Sequence, residues 1–156
     1  MKKNKNYFII SLILFFSILF CSSKSFSNEN INFLSLRNNE VNLRQGPSFE
    51  YPIKLIYKKK YLPVLILDKS ETWRKISDFE KNSGWIHISQ LSKKKAALNE
   101  KESAIIFQKP SKYSKPIALA AKGRLFLIKK CKNGWCKIKT KKYVGWTKKN
   151  NLKGRF

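Results

Sequence analysis

Apolar and polar residues alternate in short runs along most of this chain. Val41-Asn42-Leu43-Arg44 is one such run, Ile53-Lys54-Leu55 a second and Thr72-Trp73-Arg74-Lys75-Ile76-Ser77 a third. A period of two lays one face of a strand on a core and leaves the other in water. Helical spacing is not sustained anywhere over a window of about 11 residues. The runs therefore predict strands at 33–36, 41–44, 53–57, 61–67, 72–77 and 85–88, the first of them on an edge. Gln45-Gly46-Pro47-Ser48 and Asp68-Lys69-Ser70-Glu71 are turn sequences between them. Pro63 lacks an N–H, so its run is expected to meet an edge or a bulge there. Ser89-Gln90-Leu91 predicts a short 3₁₀-like turn into a last strand. Residues 93–101 are a linker, or a final strand crossing into a second group of runs. Further strands are expected at 104–107, 117–121, 124–130, 135–139 and 143–147.

These runs form two sets. Gly84-Trp85-Ile86-His87 returns as Gly145-Trp146-Thr147-Lys148. Each lies a similar distance after an earlier tryptophan, 12 positions from Trp73 to Trp85 and 11 from Trp135 to Trp146. Each is followed six positions on by a leucine, Leu91 or Leu152. Pro47 and Pro52 precede the first set as Pro110 and Pro116 precede the second. A duplicated unit is the simplest source of such order. Trp85 and Trp146, each after a glycine at equivalent positions, are expected in the two cores. Trp73 and Trp135 follow hairpin turns and are expected to be half exposed.

The N-terminus has a different composition. Met1-Lys2-Lys3-Asn4-Lys5 is basic, residues 8–20 are apolar apart from two serines, and Ser25-Phe26-Ser27 places small residues at a cleavage spacing. This is the layout of a secretory signal peptide over 1–27, too short to span a bilayer comfortably. An uncleaved membrane anchor is the alternative. A lipoprotein signal at Cys21 is disfavoured by the bulky Phe20 before it. Cleavage after Ser27 leaves 28–156, divided into units at 28–95 and 96–156. The chain carries 34 basic and nine acidic residues; losing four lysines leaves a net charge of +21. In an exported protein, periplasmic or secreted, such charge points to anionic envelope surfaces, and nucleic acid is not an expected partner. Codon drift in an AT-rich genome is a second source of so many lysines.

Two cysteines remain after processing. Cys131 and Cys136 flank Lys132-Asn133-Gly134-Trp135. Asn-Gly favours a tight hairpin in which both central residues have positive φ. With that pair at the tip, Cys131 faces Cys136 at the close, non-hydrogen-bonded position. A disulfide is predicted, of modest stabilising value because the loop is short.

Val41-Asn42-Leu43-Arg44-Gln45-Gly46-Pro47, then Trp73, then Gly84-Trp85-Ile86-His87 and Leu91, resembles the bacterial SH3-like (SH3b) domain. The match is good over 41–92 and weaker over 104–153, where the opening reads Ala104-Ile105-Ile106-Phe107-Gln108-Lys109-Pro110. The whole layout is similar to exported proteobacterial proteins with tandem SH3-like domains of unknown function. The resemblance implies an all-β chain of two small, strongly bent, five-stranded barrels. It also implies a binding module, since relatives often hold cell-wall hydrolases on peptidoglycan.

Candidate ligand-binding residues come from that resemblance and from the local pattern. By analogy with the aromatic groove of eukaryotic SH3 domains, Tyr51, Tyr57 and Trp73 form a candidate groove for an extended segment. Arg44 ends a strand beside a Gly-Pro turn. It either clamps a ligand carboxylate or bonds the carbonyls of the turn. His87 follows an inward Ile86 and is expected to face outward. The acids are scattered, the lone histidine lacks a thiolate partner, and no ligand cluster suits a metal or cofactor. The expected function is non-catalytic recognition of peptidoglycan or of a periplasmic protein's extended segment. The alternatives are a structural subunit of an envelope assembly and, last, a cell-wall hydrolase.

Overall fold

The computed structural model describes residues 32–156. The expected signal peptide therefore lies outside the described residues. Seven strands form a first sheet: β1 (Phe33–Leu36), β2 (Val41–Arg44), β3 (Ile53–Tyr57), β4 (Pro63–Ser70), β5 (Trp73–Ser77), β6 (Ser83–His87) and β7 (Leu91–Ser92). Seven more form a second: β8 (Ala96–Asn99), β9 (Ser103–Phe107), β10 (Pro116–Ala121), β11 (Leu125–Lys132), β12 (Trp135–Lys139), β13 (Val144–Lys148) and β14 (Leu152–Gly154). The strand orders are β3-β2-β6-β5-β4-β1-β7 and β10-β9-β13-β12-β11-β8-β14. Renumbering the second by seven reproduces the first, so the repeat in the sequence is a repeat in topology. A 3₁₀ turn precedes the last strand of each sheet, at Ile88–Gln90 and Lys149–Asn151.

Each sheet has seven strands rather than five because the lead-in and the closing strand also pair. β1 is not an edge strand: it lies between β4 and β7. Residues 96–99 are no linker but β8, buried throughout and first strand of the second unit. β4 begins at Pro63, where an N–H is dispensable, and continues through Asp68 to Ser70. A bulge between Ile66 and Asp68 shifts the phase of the strand by one residue, setting Asp68 opposite Lys75 and Lys69 opposite Arg74. The turn expected at 68–71 is therefore shorter, with Glu71 at φ 46° between the paired Ser70 and Trp73.

Alternation builds one core per unit. Leu36, Val41, Leu43, Tyr57, Val64, Ile76, Ile86 and Leu91 meet in the first. Ala97, Ile106, Ala120, Phe126, Ile128, Cys136, Ile138 and Leu152 meet in the second. The tryptophans depart from expectation. Gly84 and Ile86 point inward, so Trp85 between them lies half-buried on the outer face, and Trp146 repeats this. Trp73 is only 6% exposed, although its neighbours Lys75 and Arg74 are not buried. Trp135 is half-buried, as expected.

The repeated glycine has a steric cause. A Cβ on Gly84 would lie 2.6 Å from the Arg44 carbonyl oxygen, and one on Gly145 would lie 2.8 Å from that of Phe107. At both points β6 or β13 approaches the end of its antiparallel neighbour β2 or β9 closely, where Trp85 pairs with Arg44 and Trp146 with Phe107.

The β11–β12 hairpin forms as predicted. Asn133 and Gly134 have φ of 51° and 76°, and Cys131 faces Cys136 with their Cα atoms 4.0 Å apart in a disulfide. Lys69 and Arg74 hold the equivalent places in the first unit. There Arg74 Nη1 donates to the Glu71 and Trp73 carbonyls at 2.9 and 2.7 Å. One hairpin is thus closed covalently and the other by an arginine.

The fully buried Ser35 donates from Oγ to the Lys94 carbonyl at 2.7 Å and holds the segment that leads into β8. The two units are also bonded to each other. Arg155, past β14, donates to the Lys93 and Phe33 carbonyls at 3.1 and 3.0 Å.

Two outcomes are expected from this packing. Gly84→Ala lowers the stability by about 1–3 kcal/mol, because backbone rather than a flexible side chain must move. Thr147 sits where the first unit has Ile86, and its buried Oγ1 has no hydrogen-bond partner. Thr147→Val therefore raises the stability by about 1 kcal/mol. Urea denaturation of the disulfide-bonded protein measures both.

Candidate ligand-binding site

The first unit gathers aromatic side chains at one end of its sheet. β2 ends at Arg44, and the chain then loops through Gly46-Pro47-Ser48-Phe49 to β3. Arg44 Nη1 donates to the carbonyls of Phe49 and Tyr51 at 3.0 and 2.7 Å. This is the turn-holding role. The same contacts engage its Nη1 with backbone rather than leaving it free for a carboxylate. Gly46 leaves room for the Tyr51 ring, which a Cβ would meet at 2.5 Å. Ser48 Oγ accepts from Glu50 N at 3.1 Å and tightens the tip.

The clamped loop delivers Phe49 onto the sheet. Its ring lies edge-on to Trp73 at 4.9 Å and tilted to His87 at 5.4 Å, while Trp73 and His87 stand 5.3 Å apart as register partners. Arg44 Cζ lies 5.7 Å from the Phe49 ring centre. Phe49 and His87 thus account for the burial of Trp73, while Phe49 itself stays 60% exposed. His87 does face away from the core. Its Nδ1 accepts from the Ser89 amide at 3.3 Å and lies 2.7 Å from Ser89 Oγ. An accepting Nδ1 leaves the proton of a neutral imidazole on Nε2.

Of the four candidate residues, Arg44 and Trp73 join this cluster and Tyr51 flanks it, half exposed. Tyr57 does not. It is buried in the core, and its hydroxyl donates to Asp78 Oδ2 at 3.0 Å. Asp78 also accepts from Glu80 N, Asn82 N and Asn82 Nδ2, so Tyr57 ties β3 to the loop between β5 and β6. Phe49 went unnoticed in the sequence. A large apolar residue inside a Gly-Pro-Ser turn was the available signal.

A serine beside a histidine has the elements of a dyad. Here the serine's own amide donates to the same nitrogen two residues back, which makes the pair a cap on the 3₁₀ turn. No carboxylate bonds His87 among the described residues, and no group of three or more potential metal ligands occurs among them.

The second unit modifies the same site. Phe107 replaces Arg44 and packs edge-on against Trp135 at 5.6 Å. No arginine clamps the loop 108–115, whose Tyr113 is exposed. Trp135 and Lys148, equivalent to the partners of Phe49, line an open cleft of about 610 Å³ floored by Leu152 and Phe156.

A tandem of all-β units with the same strand order defines a repeated small-barrel architecture. Residues 37–93 and 100–154 each match the bacterial SH3 domain, and the chain belongs to that family. Similar solved structures include NlpC2 and NlpC1 from Trichomonas vaginalis, both at 16% identity with TM-scores of 0.37 and 0.36. They cover 83% and 84% of this chain and 50% and 48% of their own. An NlpC/P60 family protein from Bacillus cereus shows 13% identity and a TM-score of 0.35, covering 78% of this chain and 56% of its own. The chain spans about half the length of these proteins, and scores this low carry no function across. No curated protein matches the chain.

The Tyr57–Asp78 bond has a pH consequence. Burial, and then the bond to Asp78, push the Tyr57 phenol well above the ordinary tyrosine value. The folded state therefore holds a proton that the unfolded chain releases above pH ~10. The contribution is complete below that pH and is lost as the pH rises further. Denaturation midpoints across the alkaline range are expected to fall less steeply for Tyr57→Phe than for the wild type.

Proposed function

We propose that this protein is an exported, non-catalytic binding module of the bacterial envelope that recognises peptidoglycan through its first unit. The observation that carries the proposal is Phe49: a 60% exposed phenylalanine held in one place by an arginine on its backbone and by two rings beneath it. A fixed, exposed aromatic offers contact area with little ordering left to lose on binding. Membership of a family whose domains often bind the cell wall supports the same reading. The basic and apolar N-terminal sequence motivates placement in the periplasm or outside the cell.

An extended peptide of a periplasmic partner is the second ligand class. β3 is the terminal strand of its sheet, with Ile53 exposed beside Tyr51, which suits strand addition.

Insoluble peptidoglycan is expected to retain the protein at both low and moderate salt. Phe49→Ala is expected to lower that retention by roughly tenfold, the usual scale for losing an aromatic anchor. Retention that vanishes for both proteins at moderate salt would reduce the interaction to charge attraction. No retention at all removes the wall as ligand and leaves the peptide reading, which crosslinking in the native envelope then tests.

A further inference from the structure

Net charge is distributed unequally between the two units, because seven of the nine acids fall in 28–95 and only two in 96–156. Residues 103–156 contain 16 lysines and arginines and no aspartate or glutamate. Among the described residues only two lysines form ion pairs, Lys122 with Glu102 and Lys153 with Glu100. Five of those 16, Lys130, Lys132, Lys137, Lys139 and Lys148, share one face of the sheet.

The cross-strand registers show how. On the outer side of β11, β12, β13 and β9, Lys130 stands opposite Lys137, Lys137 opposite Trp146, and Trp146 opposite Phe107. The next row runs Lys132, Trp135, Lys148. Lys139, two residues along β12, extends the same face. Inward-facing Cys136 and Ile138 alternate with these positions and are fully buried. Lys130 Nζ lies 5.8 Å from the centre of the Trp146 ring.

The first unit supplies an internal comparison, because the same registers exist there. Its equivalent rows read Asp68, Lys75, Trp85, Arg44 and Ser70, Trp73, His87. Where the first unit sets an acid opposite a lysine, the second sets a lysine opposite a lysine. Like charges directly across a strand pair destabilise a sheet. The arrangement has no value to the fold itself, and an anionic surface laid over the face would relieve it.

The shape of the face selects among anions. Its charges spread over three strands in two dimensions, at roughly 5 Å across strands and 7 Å along them, so they do not track a single polymer strand. Two half-buried indoles lie among them, and Val144 is exposed beside Lys139. Indoles beside lysines belong at a boundary that is wet and anionic on one side and apolar on the other. We infer that the outer face of β11–β13 docks the protein on the phosphate-bearing surface of a lipid bilayer. The surface belongs to the second unit and does not depend on Phe49, so it stands apart from the peptidoglycan reading.

The test is co-sedimentation of residues 28–156 with vesicles. This segment contains every described strand and both cores, and it lies outside the apolar N-terminal run. Binding is expected to vesicles containing phosphatidylglycerol and not to phosphatidylcholine alone. Lys130→Ala with Lys137→Ala lowers partitioning by roughly 30-fold at low salt. Lys58→Ala with Lys59→Ala, an equal charge loss in the first unit, leaves it within about twofold, and so does Phe49→Ala. Trp146→Ala weakens binding. Lys130→Asp, which copies the first unit's Asp68, abolishes most binding without lowering the thermal midpoint. Equal binding to phosphatidylcholine overturns the proposal. So does an equal loss from the Lys58 and Lys59 pair, since net charge would then explain it. Competition by soluble polyphosphate as effective as by vesicles, together with an inert Trp146→Ala, would show an unspecific polycation and overturn it as well.

Discussion

The close backbone approach at Gly84 and Gly145 is the constraint on which both units depend. Each unit joins β6 or β13 to the end of β2 or β9 through a single pair of residues, Trp85 with Arg44 and Trp146 with Phe107. Only a hydrogen fits between the paired backbones there. That pairing joins β2 and β3, or β9 and β10, to the other five strands, and residues from both parts share one core. It also fixes the phase of everything nearby. With the glycine inward, the next residue must point outward and the one after that inward. The Gly-Trp pair is therefore a steric device followed by a surface side chain, not a core tryptophan with a glycine beside it.

With the frame held in this way, equivalent positions have diverged without loss of topology. Arg44 and Phe107 occupy one place. The arginine folds a loop back so that Phe49 covers Trp73, whereas the phenylalanine itself packs on Trp135 and leaves a cleft open. Lys69 and Arg74 answer the disulfide of Cys131 and Cys136. Each substitution satisfies a local requirement, a held turn or a closed hairpin, by different chemistry. The surfaces that result are dissimilar: an aromatic ledge in the first unit, a lysine-rich sheet in the second.

Most of the fold was legible in the sequence because its signals are local. Alternation at 41–44 and 72–77, Asn133-Gly134 between two cysteines, and the doubled Gly-Trp spacing each act over a few residues. The candidate site was only partly legible. Arg44 and Trp73 were found because they belong to a recurring pattern. Tyr57 was misplaced because alternation says which residues of β3 share a face, but not that Asp78 waits beneath one of them. Phe49 was missed because a turn carries no periodicity from which to infer the direction of a side chain.

The chain alone thus determined the class, the duplication, the paired cysteines and the sign of the charge, all of which depend on residue type and short spacing. Tertiary structure alone decided that Trp73 is buried and Trp85 is not, that Arg44 holds carbonyls, and that Lys130 faces Lys137. Each of these is a meeting of side chains or strands whose register is set by bulges and long-range pairings. A bulge shifts the phase by one residue and such a pairing brings distant residues together, so neither outcome is contained in the spacing of any single strand.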